Sequence, residues 1–128
     1  MTMQIVVAVE DSAPSLAAAA AAIHIALLQP SRLIFVSVRE AGHQSAPILD
    51  HVRKLAMDKG LDSVVAEIDD GAPFDAILSE AHDRRADLII MGRSDKQRPG
   101  APRVGSQTEH LLEFTDIPVL VVPSTPRR

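Results

Sequence analysis

Apolar residues in this chain gather into short unbroken runs, separated by longer stretches of helical periodicity. Ile5-Val6-Val7-Ala8-Val9 is the first run, expected of a strand covered on both faces, and it stops at Glu10-Asp11-Ser12. A helix is expected next. Ser12 or Ala13 precedes Pro14, which suits a first helical turn, and Leu16, Ile23 and Leu27 recur at helical spacing among alanines up to Pro30. Those alanines permit close packing on a sheet. The pattern then repeats: Leu33 to Val38 reads as a strand, Ile48 to Lys59 as a helix stopped by Gly60, and Val64 to Ile68 as a shorter strand. After the turn Asp69-Asp70-Gly71, Pro73 to Arg85 reads as a helix, Leu88 to Met91 as a strand, Ser106 to Phe114 as a fourth helix, and Val119 to Val122 as a fifth strand. Strict alternation predicts an α/β fold: a parallel sheet with helices on both faces, because consecutive parallel strands need right-handed crossovers.

Composition narrows the class. At 128 residues the chain fits one domain, 1–128, with the Pro/Arg-rich tail 123–128 expected to fray. The absence of cysteine excludes a disulfide framework, a thiolate nucleophile and a thiolate metal site. With no Trp or Tyr, only Phe35, Phe74 and Phe114, and a net charge of -4, nucleic acid is not an expected partner. No Lys or Arg precedes Ile5, and Glu10 and Asp11 interrupt the apolar stretch, so the N-terminus does not read as a signal peptide. The longest uncharged run, Ser12 to Ser31, is broken by Pro14, His24, Gln29 and Pro30 and is a poor membrane span. A soluble, cytoplasmic protein is the expectation.

The run Leu88-Ile89-Ile90-Met91 ends abruptly in Gly92, and Gly105-Ser106 opens the next helix. Such a strand, glycine loop and helix start is how an open α/β sheet presents backbone N–H groups to a phosphate. Here the residues resemble the universal stress protein family over essentially the whole chain. Val7-Ala8-Val9-Glu10-Asp11-Ser12 resembles its VAVDGS, Gly71-Ala72-Pro73 with Ala76-Ile77 its third-helix entry, and Ala86-Asp87-Leu88-Ile89-Ile90-Met91-Gly92 its ADLIVMG. Members that bind ATP carry a glycine, two residues, a second glycine, nine residues, then Gly-Ser or Gly-Thr. Gly92, Gly105 and Ser106 fit that pattern, while Asp95 stands at the second glycine.

The resemblance implies a doubly wound, Rossmann-like, five-stranded parallel sheet of order 3-2-1-4-5 with four helices. That order reverses between the first and fourth strands, so a ligand is expected in the crevice outside their carboxyl ends. Val9, Glu10 and Asp11 would form one lip and Gly92 to Ser106 the other. The family's nucleotide-contacting acidic residue corresponds to Glu10, one methylene longer than the usual Asp, and Val38 would line the adenine side. The resemblance also implies a homodimer through the last strand, Pro118 to Val122, whose apolar edge would otherwise be open.

Whether the loop holds phosphate is a separate question. Asp95 loses the close backbone approach that glycine allows and adds a like charge. At ~6 Å and an effective dielectric of ~20, that repulsion costs roughly 2–3 kcal/mol, about 100-fold in affinity, before screening. Asp11 replaces another family glycine. Against these stand Arg93, Lys96, Arg98 and Arg103, whose side chains offer a charged clamp in place of backbone donors. Ser106 also suits an ordinary helix cap or a phosphorylation site at a helix start.

No catalytic constellation emerges. His24, His43, His51, His82 and His110 lack metal-ligand spacing, Asp69-Asp70 reads as turn chemistry, and Ser12 and Ser15 have neither a paired base nor a nucleophile elbow. The expected function is a non-catalytic stress-response or regulatory protein that binds ATP or AMP weakly or in an altered mode, with Mg only alongside the nucleotide. The alternative is a dimeric interaction module that contacts an unknown protein partner and binds no nucleotide. A slow ATP hydrolase stands third.

Overall fold

The computed structural model describes residues 2–10, 12–38, 46–68, 73–93, 113 and 115–123. In chain order these form β1 (Met3–Ala8), α1 (Ala13–Leu28), β2 (Ser31–Val38), α2 (Ala46–Asp58), β3 (Ser63–Ile68), α3 (Pro73–Asp83), β4 (Leu88–Gly92) and β5 (Val119–Val122). All neighbouring strands are parallel, in the order β3-β2-β1-β4-β5. The doubly wound architecture is therefore as expected. Three helices are described; the fourth, Ser106 to Phe114, lies outside the described residues except for Glu113, which is helical. The tail beyond Pro123 lies outside them too.

The central strand is β1, with Val7 opposite Phe35 on one side and Ile90 on the other. Its register against β4 is fixed at the entry end by one residue. Asp87 donates its N–H to the Gln4 carbonyl at 2.7 Å, and its Oδ2 accepts the Gln4 N–H at 2.8 Å. A one-residue slip would break both bonds and turn every β4 side chain to the wrong face.

Alternation along β1 feeds two cores. Ile5, Val7 and Val9 pack with Leu33 and Phe35 beneath α1 and α2, whereas Val6 and Ala8 pack with Ile34, Val36, Ile77 and Ala81 on the α3 side. Helix α1 meets the sheet chiefly over β4, and it does so through Ala18, Ala19, Ala22, Ile23 and Ala26. Of the three large residues noted at helical spacing, only Ile23 is buried; Leu16 and Leu27 are 37% and 51% exposed. The reason is steric. Alanines bring the helix backbone down onto the strands, and the leucines then fall on the outer side.

Helix ends explain the connections. Gly60, at φ 81°, lets its N–H reach the Met57 carbonyl and the Leu61 N–H reach that of Ala56, closing α2 in a Schellman motif. The same pair of bonds closes α3, from Arg85 to His82 and from Ala86 to Ala81, but here Arg85 occupies the left-handed position at φ 54°. Beyond it, His82 Nε2 lies 2.8 Å from Asp116 Oδ1, joining α3 to the segment that enters β5. That hydrogen bond, aided by Asp116's own backbone, holds the Asp116 carboxyl below the ordinary aspartate value.

Arg85 offers a stability test. Relieving the left-handed strain while accepting glycine's extra chain entropy, Arg85→Gly is expected to stabilise the fold by about 0.5–1 kcal/mol. Urea denaturation checks this, and a lowered midpoint would contradict it.

Candidate functional site at the strand crossover

Because β2 follows β1 to one side and β4 lies on the other, the strand order reverses between β1 and β4, and a crevice is expected outside their carboxyl ends. Val9 closes β1. It is buried, and its N–H donates to the Val36 carbonyl at 2.9 Å, so the strand's hydrogen bonding continues up to the lip.

Glu10 follows, with both main-chain groups engaged by the start of α1. Its N–H donates to Ser15 Oγ at 2.8 Å, and its carbonyl accepts the Ser12 N–H at 2.8 Å. Ser12 is the N-cap of α1, its Oγ accepting the Ser15 N–H at 3.4 Å. Glu10 thus has a pinned backbone beneath an exposed side chain.

On the opposite lip, Gly92 ends β4 under the first turn of α1. A Cβ placed there would lie 2.4 Å from the Pro14 carbonyl carbon and oxygen and 2.6 Å from Pro14 Cβ. No side chain fits. The glycine is therefore demanded by helix packing, independently of any phosphate. Next to it, the Arg93 N–H donates to the Val122 carbonyl at 2.8 Å. That donor belongs to the sheet, so Arg93 itself would meet an anion with its exposed side chain.

The structure therefore brings Val9, Glu10, Gly92 and Arg93 to one crevice. Val38 lies at the same end of the sheet, at the end of β2, but it packs with the α3-side core, on the opposite face from Val9. Asp11, Asp95, Arg103, Gly105 and Ser106 lie outside the described residues, as do Lys96 and Arg98. Two contributors were not singled out from the sequence as site residues: Pro14, which fits over Gly92, and Ser15, which holds Glu10. The Ser12–Ser15 spacing of three is the available signal, since it is that of a capping pair. Among the described residues no three His, Asp or Glu side chains gather in a metal-binding group.

A second concavity, of about 410 Å³, opens at the other end of the sheet between Gln4, Arg32, Ile34, Glu80, Asp83 and Arg84. There Arg84 Nε donates to Glu80 Oε2 at 2.6 Å. It contains none of the residues expected to bind ligand, and the crossover crevice is the better candidate on topology.

A doubly wound parallel sheet with Glu10 and Gly92 flanking the reversal of its strand order is an open α/β architecture, in which ligands bind outside the carboxyl ends of the strands. The match is specific: residues 1–123 fit the model of the universal stress protein family, and the chain belongs to that family. A universal stress protein of Methanocaldococcus jannaschii is 32% identical over 90 residues, 70% of this chain and 51% of that protein, so the chain spans about half that relative's length. Among solved structures, a universal stress protein in complex with cAMP is 25% identical, with a TM-score of 0.82 over 96% of this chain and 98% of that one. The Archaeoglobus fulgidus universal stress protein in complex with dAMP is 20% identical, with a TM-score of 0.74 over 94% and 97% of the two chains. No helix among the described residues is long and apolar enough to cross a membrane.

The packing of Gly92 predicts that Gly92→Ala lowers stability by on the order of 1–3 kcal/mol, since the Pro14 backbone must retreat. An unchanged urea midpoint would contradict the close approach.

Proposed function

We propose that this universal stress protein is a non-catalytic regulatory protein of the stress response whose crossover crevice binds an adenine nucleotide weakly and in an altered mode. The pinned Glu10, facing the end of β4 across the reversal of the sheet, carries the reading. The nucleotides named with two structural relatives, cAMP and dAMP, support adenine as the base. In this reading the nucleoside lies against Val9 and Glu10, and the phosphate lies toward the Arg93 guanidinium. The affinity is low because Asp11 and Asp95 stand where the family pattern has glycines. Mg arrives only with the nucleotide. A regulatory rather than catalytic role is supported by the use of both crevice serines: Ser12 caps α1 and Ser15 holds Glu10, and among the described residues no hydrogen bond joins either hydroxyl to a side-chain base.

A second reading, a protein-interaction module without nucleotide, is favoured by the Arg93 N–H being committed to β5. Calorimetric titration with Mg-ATP and then AMP at physiological salt separates the two. Saturable binding weaker than about 10 μM, near −7 kcal/mol, is the expected result. No heat up to millimolar ligand at two temperatures would favour the interaction module.

Homodimerisation through Pro118 to Val122 belongs to the same proposal. The outer strand β5 leaves Leu120 39% exposed, and antiparallel pairing about a two-fold axis would cover it. Light scattering should give twice the chain mass, reduced to the monomer in Leu120→Lys. A monomeric wild-type protein would contradict this part.

A further inference from the structure

Ser15 is 4% exposed and lies in the first turn of α1, and its hydroxyl reaches back five residues to Glu10. A serine that only capped its own helix would bond within that turn. This one instead receives the N–H of the residue at the crevice lip, while Ser12 both caps the helix and binds the Glu10 carbonyl. Glu10 is thereby fixed at both main-chain groups while its carboxylate stands in solvent. Pro14, between the two serines, packs against Gly92, so the turn cannot move closer to the end of β4.

We propose that Ser15 is a positioning residue for ligand binding, acting through Glu10, to which the family resemblance assigns the nucleotide contact. The proposal rests on the nucleotide reading above and deepens it. A carboxylate accepts hydrogen bonds and repels phosphate, so Glu10 suits a ribose hydroxyl or an exocyclic amine. Held by two main-chain bonds, its backbone needs no further ordering to meet that donor, and only the side-chain rotamers remain to be fixed. Without the Ser15 hydroxyl the Glu10 N–H loses its buried partner, and the backbone that carries the carboxylate loses one of its two anchors.

The test uses adenosine and AMP as separate probes on the full chain, with Ser15→Ala, Ser15→Thr, Glu10→Gln and the Ser15→Ala/Glu10→Gln double variant, each verified as folded by circular dichroism. Ser15→Ala should weaken adenosine and AMP by the same factor, about tenfold. Ser15→Thr should restore much of that loss. In the Glu10→Gln background the Ser15 change should cost far less, because the acceptor it positions is already impaired. Equal losses with and without Glu10, or a loss confined to AMP, would overturn the proposal by showing a purely structural or a phosphate-directed role. If the wild-type protein binds neither probe, the nucleotide reading fails, and amide exchange decides the positioning step alone. Faster exchange of the Glu10 N–H in Ser15→Ala, with Val9 unchanged, supports it, and unchanged exchange at Glu10 overturns it.

Discussion

The first turn of α1 lies directly on the end of β4, and the rest of the crevice depends on that contact. Pro14 comes so close to Gly92 that no Cβ can stand between them. One consequence is lateral: α1 is drawn over β4 and away from the simple position above its own strand β1. Another is local. The five residues from Glu10 to Pro14 must turn from the end of the central strand into a helix start whose place is already set, and Ser12 and Ser15 supply the hydrogen bonds that make so tight a turn affordable. The crevice is thus built by packing before any ligand is present.

The alanines of α1 belong to the same constraint. A helix bearing leucines on its inner face would ride higher above the sheet, and Pro14 would lift from Gly92. Ala18, Ala19, Ala22 and Ala26 lower it instead, while Ile5, Val7 and Phe35 beneath supply the bulk that fills the layer. On the other face, α3 uses Ile77 and Ala81 against Val6 and Ile34, so β1 and β2 are sealed on both sides. Sealed strands make a rigid floor, and the main-chain bond from Val9 to Val36 carries that rigidity to the base of Glu10.

The fold was legible because buried parallel strands are written as unbroken apolar runs, and Ile5 to Val9 and Leu88 to Met91 are such runs. The strand order came from the family resemblance, since alternation does not say on which side β4 joins β1. Helix orientation was harder to read. Leu16 and Leu27 share helical spacing with Ile23, yet hydrophobicity alone does not reveal that alanines take the inner face. At the site, Glu10 and Gly92 were identifiable from motif and topology, but their physical roles were not. That Gly92 answers to Pro14, seventy-eight positions earlier, is a tertiary fact, as is the commitment of the Arg93 N–H to β5. Val38 shows the converse limit: strand-end position is readable from sequence, whereas the face to which it packs depends on register.

The most direct test of the account is a nuclear magnetic resonance titration of the ¹⁵N-labelled protein with AMP, following each amide. Binding at the crossover crevice predicts saturable shifts at Val9, Glu10, Ser12 and Arg93, with Gln4, Arg32 and Asp83 at the opposite end of the sheet undisturbed. Shifts centred on Gln4, Arg32 and Asp83, or none at millimolar AMP, would contradict it.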